Sequence, residues 1–329
     1  MLDWFWLAEF AFTLAVYVVL DGFDLGVGIL SGIAGSAPAR EEMLASISPV
    51  WDGNGTWLVI AGTILWGAFP PVYSIVLPAL YIPLAAMLFG LIMRGVSIEF
   101  SHKAKRSRWV WDGLLFVGSF VAAFMQGVAV GTYAQGLPVS ALRYVGNGFE
   151  WCGAFPLWCG MAVVLGYAVL GAGWLVLKGE GRLQQFGRTA VSRLVPFAML
   201  FVASIFVTTL VTHREIEARW LAHPVLFLLP LLSLLAFAGS SRVARAGSAR
   251  HPYALAAAAC VLLLLTLAVS LLPYVVPFDL TIFEAAAPAA TQKFMFWGAG
   301  LFVLPLIVAY TYIAYSVFRG KVSREHGYH

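Results

Sequence analysis

Long apolar runs, each closed by a short polar loop, make up most of this chain. The pattern predicts nine membrane helices, at roughly 5–30, 53–69, 73–99, 109–133, 153–177, 187–212, 222–240, 252–274 and 292–318. Each is near the ~20 residues that cross a hydrocarbon layer at about 1.5 Å per residue. Pro70-Pro71 ends the second helix, and Pro78 and Pro83 sit inside the third, where freed carbonyls must find other partners. No hydrophilic stretch exceeds about twenty residues, so the reading is an all-α polytopic membrane protein with no separate soluble domain.

Composition agrees. The 329 residues are 61% hydrophobic and 11% charged, with a mean hydropathy of +0.87, against about 25% charged in soluble domains. The net charge of +4 informs orientation rather than an acidic partner, and no nucleic-acid signature is present. Lys103, Lys105, Arg106, Arg108, Lys178, Arg182, Arg188, Arg242, Arg245, Arg250, Arg319, Lys321, Arg324 and Arg40 put 14 basic residues on one side. Arg143, Arg214, Arg219 and Lys293 fall on the other, and Arg94 and Arg193 lie within helices. The richer side is expected to be cytoplasmic, with the N-terminus outside and the C-terminus inside. MLDWFWLAEF lacks the basic start of a cleaved signal peptide, so the first helix is expected to persist.

Against this background the ionisable residues stand out. Asp21 and Asp24 lie in DGFDLG, Asp52 in WDGNGTW, Arg94 and Glu99 in MRGVSIEF, and Asp112 in WVWDG. A charge inside a bilayer is expensive and marks a functional site by default. With the helices placed as above, all six fall near one membrane face, the pattern of a proton or ion entrance. Asp21 and Asp24, spaced i and i+3, share a helix face, about 24 Å along the first helix. Solvation among lipid headgroups is the plainer alternative for both. Asp52 or Asn54 can serve as a helix cap, Trp51 and Trp57 as interfacial aromatics, and Arg94 can snorkel. If Arg94 is buried, its counter-ion is Asp21, Asp24, Asp52 or Glu99. Asp112 reads equally as a cap or a pathway mouth. Glu9 and Gln126 read as isolated residues with local hydrogen bonds.

Redox chemistry held by this chain is not expected. His102, His213, His223, His251, His326 and His329 all fall in loops, helix ends or the tail, not mid-helix where a membrane haem finds an axial imidazole. The eight methionines read as core filler. Cys152 and Cys159 are separated by about 10 Å of helical rise, too far to bridge, and Cys260 stands alone. There is no CxxC or CxxCH.

The motifs VLDGFDLGVGIL, WDGNGTWLVIAGTILWGAFPPVYS, MRGVSIEF and RWVWDG span residues 16–113. In order and spacing they resemble subunit II of cytochrome bd-type quinol oxidases, and the short length is similar to the compact, cyanide-insensitive branch. The resemblance implies two four-helix bundles plus one peripheral helix within a single integral membrane domain. Bundle one would span about 1–135, and bundle two with the peripheral helix about 150–320. It implies a bacterial cytoplasmic membrane location and a haem-bearing partner, subunit I, that carries haems b558, b595 and d and oxidises quinol. This chain would bind no haem and no metal. A quinone or lipid in a subunit II groove and a small single-helix accessory subunit are further candidates. The complex would reduce dioxygen to water with protons drawn from the cytoplasm. In that family a polar path through subunit II feeds those protons, and the matching positions here are Asp21, Asp24, Asp52 and Arg94. Glu99 stands where the family has Asp or Glu, Asp112 matches a helix-four acid, and Trp57 matches a position near an oxygen-access route. MRG replaces the family's FRP beside Arg94, which removes a proline kink there.

Two rivals remain at this level. A proton- or ion-coupled secondary transporter would hold its carboxylates near the membrane midplane, whereas these lie near one face. A purely structural partner of a haem subunit would not need several costly charges.

Overall fold

The structure is a computed structural model and describes residues 2–101, 103, 104 and 106–321. Lys105, Arg324, His102, His326 and His329, used above for topology or haem ligation, lie outside the described residues.

The first half comprises α1 (Leu2–Ser31), α2 (Ala37–Ile47), α3 (Trp51–Ala68), α4 (Pro70–Ala79), α5 (Tyr81–Ser101) and α6 (Arg108–Ala134). A hairpin, β1 (Val139–Ser140) with β2 (Arg143–Tyr144), leads to α7 (Ala154–Lys178), α8 (Gly181–Thr212), α9 (Arg214–Ala222), α10 (Leu228–Arg245) and α11 (His251–Leu271). A second small pair, β3 (Tyr274–Val276) with β4 (Leu280–Thr281), precedes α12 (Ile282–Ala285) and α13 (Ala289–Met295). A π-helical stretch, Phe296–Val303, then runs into α14 (Leu304–Val317).

Among the described residues, eight helices are long and apolar enough to cross a membrane, one fewer than the nine predicted. The odd one out is α3, which carries Asp52, Asn54 and the glycines 53, 55, 62 and 67 within 18 residues. The all-α polytopic class stands. The predicted helix 73–99 is interrupted at Leu80. Pro83 there lacks the amide that would bond the Ala79 carbonyl, so the ladder breaks, although Leu80 still donates to Val76 and Leu84 to Leu80, both at 2.9 Å. Helix α10 runs further than predicted, which puts Arg242 and Arg245 in its last turn rather than in a loop. Helices α2 and α9 were not expected; α2 is opened by Ser36, whose hydroxyl accepts from the Ala39 amide.

Helix α1 is the centre of the packing and touches α3, α6, α7 and α11. Helix α5 lies on α6, while α8, α10 and α11 gather around α7. Small residues set the closest crossings, because helices in lipid associate through packing rather than a hydrophobic drive. A Cβ on Gly26 would stand 1.8 Å from the Tyr167 carbonyl oxygen, and one on Gly171 2.4 Å from the Gly26 carbonyl carbon. Gly90 and Gly118 hold α5 against α6 in the same way, each Cβ position 2.7 Å from the other's carbonyl oxygen. Phe23 stacks on Trp174 at 3.9 Å, and the Trp174 indole donates to the Ser46 carbonyl at 3.1 Å, tying α2 to the core. Helix α14 has no buried residue.

Candidate polar site

One stripe of α1 carries the site. Tyr17, Asp21, Asp24 and Gly28 recur at steps of four, three and four, and so face one way over about 16 Å. Helices α3, α6, α7 and α11 pack against α1, and α5 reaches the stripe through Arg94. Asp21 and Asp24 are 0% exposed and Arg94 is 3% exposed, so headgroup solvation and snorkelling are both excluded for these three.

Arg94 Nη1 donates to Asp21 Oδ1 at 2.7 Å, which settles its counter-ion, and its guanidinium lies 6.0 Å from the Trp51 ring centroid. Trp51 is therefore more than an interfacial aromatic. Asn54 Nδ2 donates to Asp24 Oδ2 at 2.7 Å and to the Leu20 carbonyl at 3.3 Å. The Tyr315 hydroxyl of α14 donates to Asn54 Oδ1 at 2.9 Å. At this site Asp21 Oδ2, Asp24 Oδ1, Arg94 Nε and Ser119 Oγ are buried without a hydrogen-bonding partner. The Ser119 hydroxyl faces Gly28. Buried polar groups are normally satisfied, at a penalty of about 1–3 kcal/mol each when they are not. Such a concentration marks a candidate functional site, because packing alone gives no reason to leave these groups unsatisfied.

The remaining predicted residues are distributed differently. The N-cap of α3 is Val50 without side-chain capping, so neither Asp52 nor Asn54 is a cap. Asp52 is exposed and borders a pocket of about 190 Å³ whose wall includes Gly53, Asn54, Tyr310 and Tyr315. Asn54, whose amide holds Asp24, lines this pocket together with Asp52. Glu99 is exposed on α5 and joins no ion pair among the described residues. Asp112 is not a cap either: it sits a turn inside α6, paired with Arg40 Nε at 2.9 Å and Arg108 Nε at 3.2 Å. Arg40 also reaches the Ala34 carbonyl, and Arg108 the Ser101 carbonyl and Glu41, so this network ties the connection after α1 to the one after α5. Trp57 is 1% exposed, edge-on to Phe12 at 6.0 Å, its indole nitrogen unpartnered.

Gln126 is not isolated. Its Nε2 donates to the Tyr17 hydroxyl at 2.7 Å, and its Oε1 accepts from the Tyr167 hydroxyl at 2.8 Å, which links α1, α6 and α7. The signal available beforehand was spacing: Tyr17 lies one turn from Asp21, and Gln126 two turns from Ser119 on the same face of α6. Glu9 remains without a partner for Oε1.

Of the described histidines, His213 ends α8, stacked 5.0 Å from the Phe278 ring. His251 opens α11 beside the Ser248 hydroxyl, and His223 follows α9. Among the described residues no group of three His, Cys, Asp or Glu side chains could hold a metal ion.

A family model for cytochrome bd terminal oxidase subunit II matches residues 2–318. The chain belongs to that family. Subunit 2 of cytochrome bd-I ubiquinol oxidase from Escherichia coli (strain K12) is similar at 29% identity over 350 residues, with 94% of this chain and 92% of the relative covered. Subunit 2 of cytochrome bd ubiquinol oxidase from Bacillus subtilis (strain 168) is similar at 27% over 330 residues, with 97% and 96% covered. A solved bd oxidase from Geobacillus thermodenitrificans has the same fold, at a TM-score of 0.76 and 16% identity over 96% of this chain and 98% of that one. This subunit II is thus a multi-pass membrane component of a respiratory oxidoreductase complex of the cytochrome bd type.

Proposed function

We propose that the chain partners a haem-bearing subunit I and supplies protons from the cytoplasm for the reduction of dioxygen to water, while holding no haem itself. Haems b558, b595 and d belong to the partner in this reading, as does quinol oxidation. The observation that carries it is the buried pair Asp21–Arg94 beside Asp24, whose partner Asn54 lines a pocket that Asp52 also borders. A scaffold gains nothing from two carboxyls and a guanidinium withdrawn from water, since apolar side chains of similar volume would pack at less cost. A carboxyl whose second oxygen is free can take up a proton and release it.

In this reading Asp52 and Glu99, exposed at the end of the bundle with the basic loops, collect protons. Asp112, clamped between Arg40 and Arg108, fixes the shape of the mouth. Asn54, held by Tyr315, lines the pocket and holds Asp24 behind it, Arg94 keeps Asp21 in register, and Trp57, one turn beyond Asn54, lines apolar passage for oxygen. The N-terminus is outside and the C-terminus cytoplasmic, in a bacterial inner membrane. The chain acts as one integral domain, with one bundle at about 1–135 and a second bundle with the peripheral helix at about 150–320. A quinone or lipid on the surface and a small single-helix subunit complete the set of partners.

The test is to purify the complex with Asp24→Asn and with Asp52→Asn, then measure quinol oxidase turnover and the reduced-minus-oxidised spectrum. Slower turnover at normal haem content supports the path. Unchanged turnover in both variants ends it, and a colourless wild-type chain without a second subunit would bring back the transporter.

A further inference from the structure

Helix α14 buries none of its residues. Packing alone therefore does not fix its height or rotation on the bundle, and in lipid no hydrophobic drive presses helices together. Among the described residues, the hydrogen bonds that tie α14 and the turn after it to the rest of the fold lie at its C-terminal end. One is the Tyr315 bond to Asn54 at 2.9 Å. The others form a reciprocal pair between two helix ends. Lys178, the last residue of α7, donates through Nζ to the carbonyl of Phe318, the C-cap of α14, and to that of Gly320 at 3.2 Å. Lys321 donates through Nζ to the carbonyl of Gly179, the C-cap of α7, at 3.4 Å, and lies 3.9 Å from Glu180 Oε1. Each lysine thus meets the end of the other helix, where carbonyls lack partners within the helix and the dipole is negative.

Taking the proton-path reading as given, we propose that Lys178 and Lys321 are positioning residues for Asp24: they clasp the ends of α7 and α14 so that the Tyr315 hydroxyl stays seated on Asn54, whose amide holds Asp24. Phe318 lies three residues beyond Tyr315, about 4.5 Å of helical rise, so a donor on its carbonyl sets the height of the Tyr315 ring. Lys178 also lies 5.2 Å over the Trp174 ring, and Trp174 meets the Tyr315 ring edge-on at 6.3 Å. Clasp and ring contact therefore act on the same turn of α14. From there the bonds run 2.9 Å from Tyr315 to Asn54 and 2.7 Å from Asn54 to Asp24. With Tyr315 on its oxygen and Asp24 on its nitrogen, the Asn54 amide is held in one orientation. The clasp sets the pocket wall as well, since Tyr310 and Thr311 of α14 face Asp52 across it.

The experiment uses the whole purified complex carrying Lys178→Met, Lys178→Arg or Lys321→Met. Seating of α14 is read from Thr311→Cys in the pocket wall, by its rate of reaction with a maleimide followed by mass spectrometry of this chain, with the exposed Cys152 changed to serine. Turnover and haem content are measured beside it. We expect each methionine variant to label roughly two- to fivefold faster, the range a cation supplies at a helix C-terminus. Turnover should slow at normal haem content, by no more than Tyr315→Phe slows it. Lys178→Arg keeps donors for the same carbonyls and should restore both readouts. In a Tyr315→Phe background Lys178→Met should slow turnover no further, because the hydroxyl it seats is gone. Lys321, 43% exposed, decides the matter should Lys178→Met fail to assemble. Labelling at the wild-type rate in the methionine variants would overturn the clasp. Faster labelling with undiminished turnover, or further slowing in the Tyr315→Phe background, would overturn the positioning role. Labelling is read without turnover, so undiminished turnover in Asp24→Asn would remove the proton path while the labelling rates still decide whether the two lysines seat α14.

Discussion

Replacing Arg94 with methionine tests whether the central pair is an ion pair in fact. The side chains of Arg94 and Asp21 are 4% and 0% exposed and 2.7 Å apart. Removing the guanidinium leaves a carboxylate in the core with its charge uncompensated, and breaking buried pairs of this kind costs about 3–5 kcal/mol. The contact with Trp51 at 6.0 Å adds under ~1 kcal/mol. For a chain of this size, roughly 2 °C of Tm accompanies each kcal/mol, so Arg94→Met should lower the melting point of the complex by roughly 6–10 °C at a fixed scan rate. Asp21→Asn alone strands the opposite charge and should also destabilise. The double variant Asp21→Asn/Arg94→Met removes both charges and should recover most of the loss, with a coupling of at least ~2 kcal/mol. Melting point and retained haem are the readouts. Single losses that simply add in the double variant would refute the ion pair and the frame built on it.

Other outcomes follow from the same geometry. Gly26→Ala should prevent assembly, because its Cβ would collide with the Tyr167 backbone on α7, whereas Gly62→Ala, which meets nothing within 4 Å, should leave the yield of complex unchanged. Tyr315→Phe removes the donor that holds Asn54 Oδ1 and should slow turnover while haem content stays normal; equal rates would detach α14 from the site. In the connection after α6, burial pushes the Glu150 carboxyl up, but the Tyr144 hydroxyl and the Asn147 and Gly148 amides outweigh it and hold the group below its ordinary range. Its stabilising contribution is present above the ordinary carboxylate value and is lost as pH falls through the lowered one. Exchange protection of the Asn147 amide, corrected for intrinsic rate, should fall over that acidic window and be weakened in Tyr144→Phe; protection independent of pH would contradict the assignment.

Apolar run length by itself determined that this is a helical membrane protein, because a bilayer demands about twenty consecutive apolar residues whatever they pack against. Charges inside those runs marked Asp21, Asp24 and Arg94 for the same local reason: their cost arises wherever they lie in hydrocarbon. Helix ends were less legible. The break at Leu80 and the extension of α10 to Arg245 turn on which carbonyls find partners, and neighbours decide that. Only the tertiary structure decided how the polar residues combine. It chose Asp21 over Asp24, Asp52 and Glu99 for Arg94, bound Asp112 to two arginines at the surface, and turned Gln126 from an apparently isolated amide into the link between Tyr17 and Tyr167. Those partners are 73, 109 and 41 residues apart in the chain, so nothing local could announce them. Glycine contacts between helices set the distances at which these bonds form, and that depends on all the helices together.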